Sequence, residues 1–170
     1  IGSGMLHDII ISEIYFEMSS LSPLPNAEFI ELFNRSDSAI NLAGWTISDG
    51  SSDAVFPDYL LKPEHYVVVY DDQYDQLFSA LQNRIGVSGF PGLNNDSGDT
   101  LTLRNVLQME IETVPFNDDS YHNNNKNDGG WTTERIDANF TCQDQANWKA
   151  SENTAHGTPG LANSVAGIHT

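Results

Sequence analysis

Two glutamates near the start of the chain, Glu28 and Glu31, are of the residue type that acid–base catalysis uses. Hydrolysis of a glycosidic bond requires two carboxyl groups that face each other across the substrate. These glutamates are three residues apart, so on a β-strand their side chains point to opposite faces of the sheet. A catalytic pair would therefore need a second carboxylate from a distant segment.

Glu31 also creates an electrostatic problem for the strand that carries it. It lies between Phe29 and Phe33 on one strand face, where an unpaired carboxylate is costly to bury. Arg104 or Arg135 could supply the opposite charge, and the sequence does not choose between them. We therefore predict a structural ion pair at Glu31 rather than a catalytic acid.

Two acidic, amide-rich stretches, residues 94–99 and 117–119, carry the hard oxygen donors that calcium prefers. The candidate ligands are Asp96, Asp99, Asp118 and Asp119. Neither stretch has the spacing of a twelve-residue helix-loop-helix calcium site, and Asn, Asp and Gly are equally typical of turns. We expect turns without a cofactor, with calcium binding as the alternative.

The three tryptophans, Trp45, Trp131 and Trp148, lie in different segments, and a sandwich could bury all of them. Trp131 follows two glycines at the start of a predicted strand. It is the candidate for a surface platform that stacks on a sugar or on a partner's side chain. A core or lid role is nevertheless favoured over the platform for the same residue.

Charge and motifs limit the function further. Seven Lys and Arg against 24 Asp and Glu give a net charge of −17, and the basic residues are scattered singly. Nucleic-acid binding requires clustered cations, so we expect none. The chain has no nucleophile elbow, phosphate-binding loop, HExxH helix or paired CxxC. A non-catalytic module is favoured, with a metal-assisted hydrolase as the alternative.

The apolar pattern predicts an all-β fold. Residues 27–50 form two apolar runs separated by a polar corner, which indicates neighbouring strands. We predict an antiparallel β-sandwich whose core contains Ile30, Leu32, Leu42, Trp45, Ile47, Val67, Val69, Leu101 and Leu103. One short helix is predicted within residues 71–84, where Tyr74, Leu77, Phe78 and Leu81 recur at helical spacing.

Several short motifs follow the 27–50 block in a fixed order, at residues 60–63, 66–70, 97–105, 129–137, 147–148, 157–160 and 163–164. Together with that block they resemble the lamin tail domain family over roughly residues 9–165. The resemblance implies an immunoglobulin-like sandwich. It also implies an accessory module of a larger exported bacterial protein that contacts a protein, a glycan, the cell surface or neighbouring domains.

Length and composition are consistent with one domain. A chain of 170 residues that is 39% hydrophobic can bury one substantial core. We assign residues 1–8 to a linker or cloning remnant, 9–165 to the domain and 166–170 to a tail. The single cysteine, Cys142, cannot form an intrachain disulfide, and no apolar run is long enough for membrane insertion. We expect an extracytoplasmic location, and the sequence leaves the oligomeric state open.

Overall fold

The computed structural model describes residues 4–94, 98–142 and 144–167, and these residues are mostly β-structure. The strands are β1 (Ile9–Tyr15), β2 (Phe29–Asn34), β3 (Ile40–Asn41), β4 (Thr46–Ser48), β5 (Asp53–Val55), β6 (Leu60–Leu61), β7 (Tyr66–Asp71), β8 (Arg84–Val87), β9 (Asp99–Arg104), β10 (Glu110–Phe116), β11 (Thr133–Arg135) and β12 (Trp148–Ala150). Short 3₁₀ helices span Asp72–Tyr74, Asp118–Tyr121 and Gln145–Asn147.

The strands form two main sheets with a core between them. The larger sheet has six strands in the order β12-β11-β1-β2-β7-β8, and the smaller has four in the order β10-β9-β4-β5. All neighbouring pairs are antiparallel except β7 and β8, which are parallel. Strands β3 and β6 form a separate pair. The predicted immunoglobulin-like β-sandwich is confirmed.

Alternation along the strands explains which side chains enter the core. Ile30 and Leu32 of β2 lie beside Val69 and Val67 of β7, and these residues face the smaller sheet. The structure places the predicted core residues in one cluster with exposures of 0–1%: Ile30, Leu32, Leu42, Trp45, Ile47, Val67, Val69, Leu101 and Leu103. The opposite residues of β2 and β7 point to the outer face of the larger sheet.

A second apolar cluster covers one part of that outer face. Phe78 stacks on Tyr70 with ring centroids 3.9 Å apart and packs at its edge against Phe29. Phe78 comes from the segment where a short helix is predicted, but that segment has one 3₁₀ turn followed by other turns. Tyr74 and Leu77 stay 40% and 48% exposed, so packing does not offset the entropy of ordering a longer helix.

Residues 157–167, called the strap from here on, cover another part of the outer face. Backbone N–H groups of Thr158, Gly160 and Val165 donate to carboxylates of the larger sheet. The Gly167 N–H donates to the Ile136 carbonyl, and Asn163 Nδ2 donates to the carbonyls of Ser12 and Arg135. The strap therefore crosses strands β2, β1 and β11 without adding a strand to the sheet.

Residues 4–8, which the sequence assigns to a linker, pack against the sandwich. The His7 N–H donates to the Ile111 carbonyl, and the Arg35 N–H donates to the Asp8 carbonyl. Gly4 has a φ of +69°, and a β-carbon built on it would lie 2.4 Å from the Trp45 ring. Glycine is thus required for the close approach that covers Trp45.

Trp45 is the largest fully buried side chain of the main core, so its truncation tests the register of the sandwich. We expect Trp45→Ala to lower the free energy of unfolding by about 3–5 kcal/mol through lost burial and a cavity. Urea denaturation is the measurement, and Leu21→Ala, at a side chain that is 91% exposed, is the control. A loss below about 1 kcal/mol would contradict the core position.

Candidate functional site

Three glutamates lie side by side on the outer face of the larger sheet. Glu13 of β1 is directly opposite Glu31 of β2 on one side and Glu134 of β11 on the other. Directly opposed residues of antiparallel strands have Cα atoms about 4.5–5.5 Å apart. All three side chains are 0% exposed. We call Glu31, Glu13 and Glu134 the carboxylate row.

A β-bulge in β1 gives the row its place. The register with β2 shifts between Ile11 and Glu13, while Ile11 and Ile14 both remain in the core. The two residues between them, Ser12 and Glu13, are therefore both available to the outer face. Ser12 Oγ donates to Glu31 Oε1 over 2.7 Å, so the bulge also supplies a hydrogen bond within the row.

The strap supplies donors to all three carboxyl groups. The Thr158 N–H donates to Glu13 Oε1 (2.8 Å), and the Gly160 N–H donates to Glu31 Oε2 (2.5 Å). The Thr158 hydroxyl donates to Glu134 Oε1 over 2.9 Å. Glu134 Oε2 accepts from Ser164 Oγ (2.8 Å) and from the Val165 N–H (3.2 Å). These bonds are the main polar attachment between strap and sheet.

Burial and electrostatic repulsion raise the pKa values of Glu13 and Glu31. Burial, and then the Glu134 charge, raise the pKa of Glu13 to about 8. The pKa of Glu31 is raised well above its ordinary value by burial first and then by Glu13. Glu13 Oε2 is buried and has no hydrogen-bond partner in the structure. The central carboxyl group is therefore predominantly protonated at neutral pH.

The predicted ion pair at Glu31 is wrong. Ser12 and Gly160 donate to Glu31, whereas Arg135 Nη2 lies 2.7 Å from Glu112 Oε1 of the smaller sheet. Arg104 is on β9 of that smaller sheet, opposite Thr46 and Glu110. Alternation explains the error for Arg135, because the preceding residue, Glu134, occupies the outward position on β11.

The Arg135–Glu112 pair instead joins the two sheets in the interior. Both side chains are at most 3% exposed, and Glu112 also accepts a hydrogen bond from the Ile11 N–H. Arg135 Nε donates to the Ile11 carbonyl over 2.9 Å, and its guanidinium lies 5.0 Å from the Trp148 ring centre. Burial raises the pKa of Glu112, and the attraction of Arg135 opposes that shift.

Trp131 has stacking partners from its own chain. Its ring centroid lies 3.7 Å from that of His156 at an interplanar angle of 11°. Lys126 Nζ lies 3.9 Å from the ring centre, and Trp131 also packs against the main core. In this structure Trp131 is part of a cover over the core, with His156 and Lys126 on its ring, rather than a bare platform.

The calcium candidates lie at the ends of regular elements. Asp99 begins β9, while Asp118 and Asp119 begin a 3₁₀ helix in which Asn117 Oδ1 accepts from the Asp119 N–H. Asp96 lies outside the described residues. Within residues 4–94, 98–142 and 144–167, no group of three or more His, Cys, Asp or Glu side chains is arranged to hold a metal ion.

A separate cleft opens at the end of the larger sheet where β2 begins and β7 ends. It has a volume of about 260 Å³ and is lined by Met18, Glu28, Asp71, Gln73, Tyr74, Phe90 and Gly92. We call it the acidic cleft, since two of these lining residues, Glu28 and Asp71, are acidic and none is basic. Tyr74 and Met18 are 40% and 42% exposed, so the cleft is open to solvent.

The two acids of the cleft are held by backbone N–H groups. Glu28 Oε2 accepts from the Leu93 N–H (3.0 Å), and partial burial raises the pKa of Glu28. Asp71 Oδ1 accepts from the Gln73 N–H (3.1 Å) and so begins the 3₁₀ turn that carries Tyr74. Carboxylates beside aromatic rings can bind a cationic group or the hydroxyl face of a sugar.

Sequence reasoning missed Glu13 and Glu134 altogether, and it considered Glu28 only as half of a catalytic pair. The signal for Glu13 was a carboxylate inside the apolar run of residues 9–15. Such a residue on a buried strand requires a dedicated set of donors. No comparable local signal marks Glu28, because its cleft is assembled from four separate segments.

The raised pKa of Glu13 should make stability depend on pH. The Glu13 pKa is 4.5 ordinarily and about 8 when folded, so its contribution is complete below the first value and lost as the pH rises through the second. We expect the free energy of unfolding to fall by up to about 1.4 kcal/mol per pH unit in that window. Glu13→Gln cannot ionise and should flatten the slope.

Urea denaturation at several pH values between these limits measures that slope. Glu64→Gln removes an exposed carboxylate outside the row and is the matched control. It should retain the pH dependence of the unaltered chain. Equal slopes for Glu13→Gln and Glu64→Gln would contradict the assignment to the row.

The buried Arg135–Glu112 pair generates a second prediction. Arg135→Met leaves the Glu112 carboxylate buried and unpaired, which should cost about 3–5 kcal/mol of unfolding free energy. Replacing both residues, by Arg135→Met with Glu112→Leu, removes the stranded charge and should restore part of that loss. Chemical denaturation compares the two variants, and equal losses would mean that the charge pairing is not what matters.

Comparison with known proteins places this geometry in a family. The family model described as Lamin Tail Domain matches residues 5–118, which include β1 to β10 and the acidic cleft. Strands β11 and β12 and the strap lie beyond the matched region. Comparison with curated proteins gave no match. The match spans more than half of the chain, and the chain therefore belongs to the lamin tail domain family.

Proposed function

We propose that this chain is a non-catalytic binding module of a larger exported bacterial protein and that it contacts its partner through the acidic cleft. The lamin tail domain family is a family of non-catalytic, immunoglobulin-like modules, which supports this proposal. The partner is a protein that presents lysine or arginine side chains, at the cell surface or outside the cell.

The composition of the cleft carries the proposal. Glu28 and Asp71 provide negative charge, and Tyr74 and Phe90 provide aromatic rings within the same cleft of about 260 Å³. A lysine or arginine side chain gains from both, through an ion pair and through contact between the cation and a ring. The volume of about 260 Å³ is smaller than that of most small-molecule sites, and it suits the end of one extended side chain.

The net charge supports a basic partner over other classes. At −17 the chain produces a negative potential that attracts cationic surfaces and increases their rate of association. The same potential opposes nucleic acids and anionic lipid surfaces.

None of the helices in the described part of the chain is long and apolar enough to cross a membrane. A neutral glycan that stacks on Tyr74 is the competing ligand.

The hydrolase and calcium-dependent alternatives draw less support from the arrangement of the acids. The carboxylate row is closed to solvent by the strap, and both acids of the cleft accept hydrogen bonds from backbone N–H groups. Neither set forms a metal centre among the described residues. A binding role makes direct use of the open cleft.

The binding test uses NMR titration of the isotope-labelled chain with a short lysine- and arginine-containing peptide, a neutral oligosaccharide and duplex DNA. We expect the peptide to shift the signals of Glu28, Tyr74 and Gly92 in a saturable manner, and DNA to give no shifts. Glu28→Gln retains an acceptor for the Leu93 N–H but removes the charge. It should weaken peptide binding by about tenfold, which corresponds to ~1.4 kcal/mol.

Glu110→Gln is the matched control, since it removes an equal charge from an exposed position on the smaller sheet. Equal weakening by both substitutions would show general electrostatic attraction and overturn the assignment to the cleft. Saturable binding of the oligosaccharide at Tyr74, without peptide binding, would replace the protein partner by a glycan. No binding by any probe would remove the cleft from consideration.

A further inference from the structure

The strap and the carboxylate row form a coupled unit on the outer face of the larger sheet. Three backbone N–H groups of the strap each donate a hydrogen bond to one of three neighbouring carboxyl groups, and all three glutamates are fully buried. One oxygen in the centre of the row, Glu13 Oε2, is buried without a hydrogen-bond partner. The binding function proposed above does not use this arrangement.

Ionisation of the row and docking of the strap oppose each other. A carboxylate that loses its proton beside two other carboxyl groups requires hydration or a cation, since burial penalises the charged form. The core side of the sheet is filled by apolar side chains such as Ile11, Ile14 and Ile30. The strap lies on the other side, so lifting it is the direct way for water to reach the row.

The charges around the row do not neutralise its centre. The strap, residues 157–167, contains no charged residue, and His156 directly before it stacks on Trp131. Lys149 of β12 is directly opposite Glu134, and its ammonium also pairs with Glu152 over 2.5 Å. Lys126 interacts electrostatically with Glu134 as well. At the other end of the row, Glu31 is directly opposite the apolar Val68 of β7, and Tyr66 of the same strand interacts electrostatically with Glu31. Within the described part of the chain, Lys149 and Lys126 thus both lie at the Glu134 end of the row.

Two glycines allow the strap to lie this close to the carboxylates. A β-carbon built on Gly157 would lie 2.9 Å from Glu13 Oε1 and 2.8 Å from Thr132 Cγ2. Gly160, whose N–H bonds Glu31, has a φ of +85°, which favours glycine. Docking thus depends on close backbone contact, and a hydrated carboxylate would not fit beneath it.

We propose that the strap is a pH-sensitive latch, docked while the central carboxyl group of the row holds a proton and released from the sheet when that proton is lost. Release leaves the strands and the main core intact. It uncovers the outer face beside the row, where a cavity of about 50 Å³ is lined by Ile10, Phe33 and Tyr66 of the sheet and by Asn163 and Ala166 of the strap. The latch thus exposes apolar surface in alkaline conditions.

Carbon-detected NMR of the full chain tests the latch, because carbon shifts do not depend on amide exchange. The Cα signals of Gly157, Thr158 and Gly160 report the strap, and the Cδ signal of Glu13 reports its ionisation. Between about pH 7 and pH 9 we expect the strap signals to move toward unstructured values, with the released fraction rising up to about tenfold per pH unit. Signals of Leu101 and Leu103 should not move.

Three comparisons decide the outcome. In the unaltered chain, the pH midpoint of the change in the strap signals should coincide with the midpoint of the Glu13 titration. This comparison does not depend on how the variants behave. Glu13→Gln should abolish release over this range, while Glu64→Gln should leave it unchanged. Strap signals that stay fixed while Glu13 ionises would overturn the proposal. So would release at the same midpoint in Glu13→Gln, or movement of the Leu101 and Leu103 signals together with the strap.

Discussion

The need to bury three adjacent carboxyl groups on one sheet constrains much of the outer face. Hydrogen bonds to this row depend on three features. These are the bulge between Ile11 and Glu13, the hydroxyl of Thr132, which donates to Glu13, and the close approach of the backbone at Gly157. A row of apolar side chains would pack against a covering segment without directional demands. Carboxyl groups instead require donors at fixed positions, so they specify where the strap lies.

Several of the few cations are engaged in contacts within the chain, one of them in the interior. Arg135 joins the sheets through Glu112, and Lys126 donates to the Ser151 carbonyl while lying against Trp131. Lys149 pairs with Glu152 next to the row. The negative potential of the surface is therefore not offset by basic clusters. The acidic cleft differs from the exposed acidic residues around it, because it combines negative charge with a concave shape and with aromatic rings that a ligand can contact.

The sequence predicted the sandwich because alternation is a local property. Apolar residues that recur every second position indicate which face of a strand is buried, as they do for Ile30, Leu32, Val67 and Val69. The partners of Glu31 were not predictable in this way, since Gly160 is 129 positions distant in sequence and contributes a backbone N–H rather than a charge. The acidic cleft is missed for the same reason, because its lining comes from separate segments. The short helix predicted within residues 71–84 is present as the 3₁₀ helix Asp72–Tyr74, and the exposed side chains of Tyr74 and Leu77 give too little packing to extend it.

The position of the strap in the chain has a consequence for the order of folding. Thr158 and Glu13 are 145 residues apart, yet one hydrogen bond joins them, and Arg135 bonds Ile11 across a separation of 124. Contacts of such long range are formed late, after closure of a large loop. During synthesis Glu13 of β1 and Glu31 of β2 therefore stay hydrated until residues 157–167 have been made. The outer face of the larger sheet can therefore become dry only after residues 157–167 have been made and have docked.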